Sequence, residues 1–265
     1  MELANPEPAS ASAAQAFYRA VIERLQAAGV PCLVGGAYAF ALQTRVERIT
    51  KDFDLFVRPS DVRPALDAAR AAGWRGTISA PHWLAKIESD VGFLDVIFSS
   101  GNGVATVDDE WFEHAREEQV LGLTVPVCPP EETLWSKAFV MERDRFDGAD
   151  VAHLLLSRAD SLDWDRLLRR FGPHWRVLYS HIVLFGFIFP SERGRIPREV
   201  HAELERRLQE EATGTPPQNK VCNGTLLSWQ EYLIDLRDGG FHDARLKPEG
   251  PMTAEEIRLW TERPK

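Results

Sequence analysis

Asp52, Asp54 and Asp95 are the residues through which this chain could most directly do chemistry. Asp52 and Asp54 flank Phe53, and on a strand that spacing turns both carboxylates to one face, because side chains alternate with a period of two. Phe53, Leu55 and Val57 then point the other way, toward a core. Two like charges about 4 Å apart repel by roughly 1 kcal/mol in water and by several times that near a protein surface. A divalent cation is the usual means of offsetting such repulsion; the alternative is an edge strand with two solvated acids. Asp95 sits inside the apolar run Phe93-Leu94-Asp95-Val96-Ile97-Phe98, where burying an unpaired carboxylate is expensive. It must face water or hold a cation, and beside the first two acids it would close a triangle of oxygens suited to Mg²⁺.

A glycine pair precedes these acids. Pro31-Cys32-Leu33-Val34 reads as a short buried strand, Gly35-Gly36 follows, and Ala37 to Leu42 is rich in helix formers. Strand, glycines and helix in that order let backbone N–H groups approach a phosphate at a helix N-terminus, although a Gly-Gly turn is more often purely structural. No Gly-Lys-Ser/Thr closes the turn, so it is not a P-loop, and the third glycine of a dinucleotide fingerprint is missing.

Gly-Gly, then Asp-x-Asp, then a single aspartate on a later strand resembles the DNA polymerase β-like nucleotidyltransferase superfamily. The chain is most similar to the bacterial nucleotidyltransferases related to abortive-infection toxins. Their Arg-x-Thr-x-Asp-φ-Asp segment, with φ apolar, is matched by Arg48, Thr50, Asp52 and Asp54. Lys86-Ile87-Glu88 resembles their Lys-φ-Glu strand, and Glu132 to Ala138 resembles the helix that carries a lysine, here Lys137. Arg145, Asp147 and Asp150 correspond to a closing Arg…Asp-x-x-Asp segment.

The resemblance implies transfer of a nucleotidyl group from a nucleoside triphosphate to a hydroxyl, with two Mg²⁺ ions, or Mn²⁺ in their place. Asp52, Asp54 and Asp95 would be the catalytic, metal-holding acids, with Asp95 on the ion that activates the acceptor. Gly35, Gly36, Thr50 and Lys137 would bind the nucleotide. For Lys137 a surface lysine that snorkels from its helix is the competing reading, and for Arg145 and Asp147 a plain salt bridge. Lys51 lies between ligand positions and is read as facing away from them. The acceptor is left open among an RNA end, a protein and a small molecule. A toxin or defence effector with a partner protein is the biological setting the resemblance suggests. A binding protein on the same scaffold that has lost transfer activity would be free to lose Asp54 or Asp95, and both are present. A metal-dependent phosphohydrolase lacks its usual histidine ligands here.

Composition narrows the field further. The chain has 265 residues, 44% of them hydrophobic, enough for one large core or two modest ones. Cys32, Cys128 and Cys222 are scattered and odd in number, which points to no disulfide framework and to the reducing cytosol. The N-terminal residues carry acids and prolines and do not read as a secretory signal. The apolar stretch Val183 to Phe189 is too short to cross a bilayer and is expected in a core, so no membrane partner follows. A net charge of −9 argues against a generally basic nucleic-acid binder. The clusters Arg166, Arg169, Arg170 and Arg193, Arg195, Arg198 read as solvated helix faces rather than basic patches.

The elements that must position the acids are then an α+β arrangement, a small mixed β-sheet flanked by helices and followed by a mainly helical C-terminal region. Residues 1–13, rich in Ala, Ser and Pro, read as a disordered tail, 14–128 as the nucleotidyltransferase domain and 129–265 as the helical domain. Helices are expected from about Ala14 to Ala28 and from Ser60, an N-cap candidate, to a stop at Gly73. Trp83–Glu88 and Gly92–Phe98 read as a hairpin about Asp90-Val91-Gly92 that carries Asp95 on its second arm. After Pro129-Pro130 helices are expected over 131–143, 147–157, 164–170, 174–189 and 197–211. His174 and His181 lack metal-ligand partners at useful spacing. The tail with Asn223, His242, Asp243 and Arg245 reads either as a surface closing over a substrate or as a small packing module.

Overall fold

A computed structural model describes residues 8–48, 50 and 52–262. It divides into two compact units, one holding the chain up to Ala39, Glu47–Gly101 and Thr106–Pro129, the other Phe40–Val46, Asn102–Ala105 and the chain from Pro130.

The first unit is built on a seven-stranded mixed sheet. Its strands are β1 (Leu33–Val34), β2 (Asp54–Phe56), β3 (Arg75–Ala80), β4 (Leu84–Ser89), β5 (Gly92–Ile97), β6 (Arg116–Val120) and β7 (Leu123–Val127), ordered β3-β4-β5-β2-β1-β7-β6. β2 runs parallel to β5 and β1 parallel to β7, while the remaining neighbours are antiparallel. Leu55, Val96 and Ala85 stand opposite one another on the adjacent strands β2, β5 and β4 and are fully buried. Helices α1 (Pro8–Ala27) and α3 (Val62–Ala71) pack together, and Arg24 Nε donates to the Ala68 carbonyl across that contact at 3.1 Å. Phe53 anchors α1 to the sheet, since its ring stacks on Tyr18 at 4.9 Å.

Several expectations change here. α1 begins at Pro8, so residues 8–13 are helical rather than a disordered tail, and 1–7 lie outside the described residues. Ser60 is not an N-cap; it lies within a 3-10 turn, Pro59–Asp61, that leads into α3. Gly73 does end α3, with φ +87. The hairpin carrying Asp95 forms in the expected place. β3 and the β6–β7 hairpin were not anticipated.

The second unit is helical: α5 (Pro130–Ala138), α6 (Gly148–Arg158), α7 (Trp164–Phe171), α8 (Trp175–Ile188) and α9 (Arg198–Thr213) precede short tail elements. α5, α6 and α8 pack on one another around Leu134, Leu155, Leu178 and Phe185. Of the α7 arginines Arg169 is exposed as expected, but Arg166 and Arg170 are not on a solvated face. Arg166 is buried and pairs with Glu131, and Arg170 Nε lies 3.3 Å from Glu132. The apolar end of α8 is not a core segment throughout, since Val183, Phe187 and Ile188 are exposed. No helix among the described residues is long and apolar enough to cross a membrane. His181 is buried, with Nε2 2.8 Å from the Ala138 carbonyl oxygen, and His174 packs edge-on to Phe139. In the tail Arg245 is fully buried against Asp243, whose carboxylate also accepts from Thr225, which is the packing-module reading.

Candidate active site

A single row of residues crosses the first unit's sheet. Thr77 on β3 stands opposite Lys86 on β4, Lys86 opposite Asp95 on β5, and Asp95 opposite Asp54 on β2. Directly opposed residues project to the same face, so Lys86, Asp95 and Asp54 share one side while Ala85, Val96 and Leu55 bury the other. Two residues along β2, Phe56 on the acid-bearing face stacks on the buried Trp111.

Asp54 also meets the glycine turn. The Gly35 N–H donates to the Asp54 carbonyl at 2.9 Å, and helix α2 (Gly36–Thr44) starts one residue later. Gly35 therefore extends the sheet, and its N–H is already committed. The Phe56 ring covers it so closely that a β-carbon there would fall 2.1 Å from a ring carbon. Gly36 has φ +55, and a β-carbon on it would stand 1.7 Å from Asp54 Oδ2. The first N–H groups of α2 have no acceptor further back in the helix, which makes that end attractive to negative charge.

Asp52 lies just before β2 and is exposed. Its backbone N–H donates to Thr50 Oγ1 at 3.1 Å, and the Thr50 hydroxyl donates to the Asp52 carbonyl at 3.0 Å. Thr50 thus holds the backbone turn that presents Asp52. Lys51 lies outside the described residues. Phe53, fully buried, is stacked by Tyr18 and met edge-on by Tyr38 at 4.8 Å. Burial raises the Tyr18 hydroxyl above its ordinary range, and Tyr38 and the Asp52 charge add to the shift.

Lys86, the lysine of the Lys-φ-Glu strand, faces Asp95. Its Nζ pairs with Asp95 Oδ1 at 2.7 Å and sits 4.1 Å from the centre of the Phe93 ring. Burial raises the Asp95 carboxyl above its ordinary range; the Lys86 contact offsets part of that and the Asp52 charge adds to it. The donors available here are hard carboxylate oxygens. Two of them are in register, which suits an ion such as Mg²⁺ that is commonly held by one or two carboxylates together with waters and substrate phosphates. Among the described residues no group of three or more His, Cys, Asp or Glu side chains stands close enough together to hold a metal by itself.

Lys137 belongs to the second unit. Its Nζ lies 2.8 Å from Asp150 Oδ2 and 3.3 Å from Asp147 Oδ2. It is a paired, largely buried lysine rather than a snorkelling one. Arg145 grips the Asp147 carboxylate with two donors, at 3.1 and 3.0 Å, in the turn just before α6 rather than along a helix. Burial raises the Asp147 carboxyl, but the Arg145 and Lys137 contacts outweigh it and the group lies below its ordinary value.

A mixed sheet that sets two aspartates side by side next to a glycine turn and a helix N-terminus defines a protein of the nucleotidyltransferase class. The chain belongs to the family described as "Uncharacterised nucleotidyltransferase", whose model matches residues 9–174. No curated protein matches it by sequence. Among solved structures it is similar to the antibiotic-resistance factor ANT(2'')-Ia at 14% identity and a TM-score of 0.43, over 75% of this chain and 98% of that one. It is also similar to the lincosamide antibiotic adenylyltransferase LnuA, at 14% identity and a TM-score of 0.37, over 53% of this chain and 94% of that one. A nucleotidyltransferase-like antigenic protein from Paracoccidioides brasiliensis matches at 14% identity and a TM-score of 0.37, over 63% of this chain and 90% of that one.

Proposed function

We propose that the protein moves a nucleoside monophosphate from a nucleoside triphosphate to a hydroxyl acceptor, using Asp52, Asp54 and Asp95 as its catalytic acids. The observation that carries this reading is the in-register placement of Asp54 and Asp95 on adjacent parallel strands, with Asp54 against Gly36 at the start of α2. Mg²⁺ bound there would supply positive charge to the triphosphate and to the attacking oxygen. Asp54 and Asp95 would hold it, and Asp52 would complete the set from the turn that Thr50 stabilises. The N–H groups at the start of α2 would take a phosphate oxygen, a role now assigned to Gly36 rather than Gly35. Asp95, raised by burial, is suited to receive the proton of the acceptor hydroxyl. Lys137 would neutralise a phosphate oxygen on exchanging one of its aspartate partners for the nucleotide.

The acceptor is an RNA end, a protein or a small molecule. The likeness of the Arg48-to-Asp54 segment to the abortive-infection group supports a toxin or defence effector with a partner protein. A second reading, a nucleotide- or partner-binding protein without transfer activity, draws on the Lys86 pairing, which already satisfies one Asp95 oxygen. Incubation with each α-labelled triphosphate, Mg²⁺ and total RNA, protein or metabolite extract separates the two. Label transferred by the wild type and lost in Asp54→Asn supports the enzyme; bound but untransferred nucleotide supports the second reading.

A further inference from the structure

We infer that Tyr38 is a positioning residue that ties the phosphate-receiving turn of α2 to Asp52, so that nucleotide and divalent ion strengthen each other's binding through it. The inference rests on the proposed transferase reading and concerns how its two ligands are coupled. Tyr38 is the third residue of α2, in the turn whose N–H groups have no acceptor further back in the helix. The helix ladder begins only with the next residue, where the Ala39 N–H donates to the Gly35 carbonyl at 3.1 Å. The Tyr38 ring meets Phe53 edge-on, with centroids 4.8 Å apart and planes at 66°, an arrangement attractive beyond its buried area. One residue therefore has its backbone where the phosphates would sit and its side chain against the neighbour of Asp52.

Phe53 is the link. Its ring is fully buried, with Tyr18 of α1 stacked behind it at 4.9 Å, and its carbonyl accepts from the Asp95 N–H at 2.9 Å. Asp52 precedes β2, so its place relative to Asp95 follows from that anchored neighbour and from the Thr50 turn. Burial raises the Asp95 carboxyl and the Tyr18 hydroxyl, and the Asp52 charge adds to both, which puts Asp52 within electrostatic reach of each. Closely packed interiors transmit strain, so a displaced Tyr38 displaces Phe53 with it. A phosphate that fixes the first turn of α2 fixes Tyr38, then Phe53, and so holds Asp52 for the ion. By linkage the ion tightens the nucleotide by the same factor.

The test compares nucleotide affinity in Mg²⁺ and in EDTA by calorimetry, with each α,β-methylene nucleoside triphosphate as a non-transferable probe. The ratio of the two affinities reads the coupling, about fivefold or more in the wild type. Tyr38→Leu, which removes the ring, should lower that ratio toward the one for Asp52→Asn, and the double variant should fall no further. Tyr38→Phe, which keeps the ring, should restore it; Tyr38→Met takes the place of Tyr38→Leu should urea titration show that variant unfolded. Equal weakening of Tyr38→Leu in Mg²⁺ and EDTA, losses that multiply in the double variant, or a wild type indifferent to Mg²⁺ overturns the inference. The transferase reading fails on a different result, label transfer that survives Asp54→Asn.

Discussion

Asp54 Oδ2 occupies the space that a β-carbon on Gly36 would need, the two positions being 1.7 Å apart. The strand that carries the acid and the helix that follows the glycine turn are thereby locked together at one point. Gly36 also adopts a left-handed backbone, φ +55, which costs a residue with a side chain about 1–2 kcal/mol.

Gly36→Ala should therefore lower stability by at least that amount and displace the Asp54 carboxylate. Urea unfolding would report the first effect, and nucleotide affinity, measured by calorimetry, the second. Affinity equal to that of the wild type would show that the α2 N-terminus does not receive the phosphates.

Asp54→Asn should leave the unfolding free energy within about 1 kcal/mol of the wild type, because the substitution keeps the side chain's size and shape. Transfer should fall by about a hundredfold or more, the scale on which removal of one preorganised electrostatic group acts. Single-turnover transfer and denaturant titration of the same preparation measure both.

Phe53→Ala removes a fully buried ring held between Tyr18 and Tyr38. A loss of about 3–5 kcal/mol is expected from such a truncation. Because Phe53 joins Asp52 to the strand that begins at Asp54, transfer should fall in step with the disordering of Asp52. Near-ultraviolet circular dichroism of the tyrosines follows that change directly.

Lys137→Met strips the shared cation from Asp147 and Asp150, leaving Arg145 as the remaining partner of Asp147. A stability loss of about 1–3 kcal/mol is expected for carboxylates left with fewer partners. If Lys137 also contacts the triphosphate, KM for the nucleotide should rise beyond what Lys137→Arg produces. Unchanged KM in both variants would leave it a structural tie.

Glu132 sets a pH window in the helical unit. Burial pushes its carboxyl from 4.5 up to about 7, against the opposing pull of Arg166 and Arg170. Between those values the folded chain keeps a proton that the unfolded chain has released. The stability this contributes is complete below about pH 4.5 and is lost as pH rises through about 7. Glu132→Gln should flatten the decline in urea midpoint across that interval; equal slopes in the two proteins would contradict the assignment.

Much of the acid row was legible in the linear chain. Aspartate within Phe93–Phe98 and the pair around Phe53 stand out because charge in an apolar run is costly, and a period of two says which neighbours are buried. The hairpin beyond Ser89 carried its own turn signal in Asp90-Val91-Gly92. The β6–β7 hairpin did not. Its turn is Leu121-Gly122, where Leu121 takes φ +52, a conformation that sequence pattern assigns to Asn, Asp or Gly, and β6 is a polar edge strand without an apolar stripe.

The arginines of α7 show the opposite failure. A run of charges reads as a solvated face, yet Arg166 and Arg170 turn inward because Glu131 and Glu132, more than thirty residues earlier, supply the compensating charge. Local composition carries no record of such a partner.

Residue type and alternation along the chain thus determined which side chains bear charge, which strands bury a face and where the glycines must permit close approach. Register between strands distant in sequence decided the rest. It set Asp54 beside Asp95, placed Lys86 opposite Asp95, and left Gly35 inside the sheet while Gly36 opens the helix. Those pairings arise when apolar faces from separate segments are buried together, a cooperative free energy that no single stretch of sequence contains.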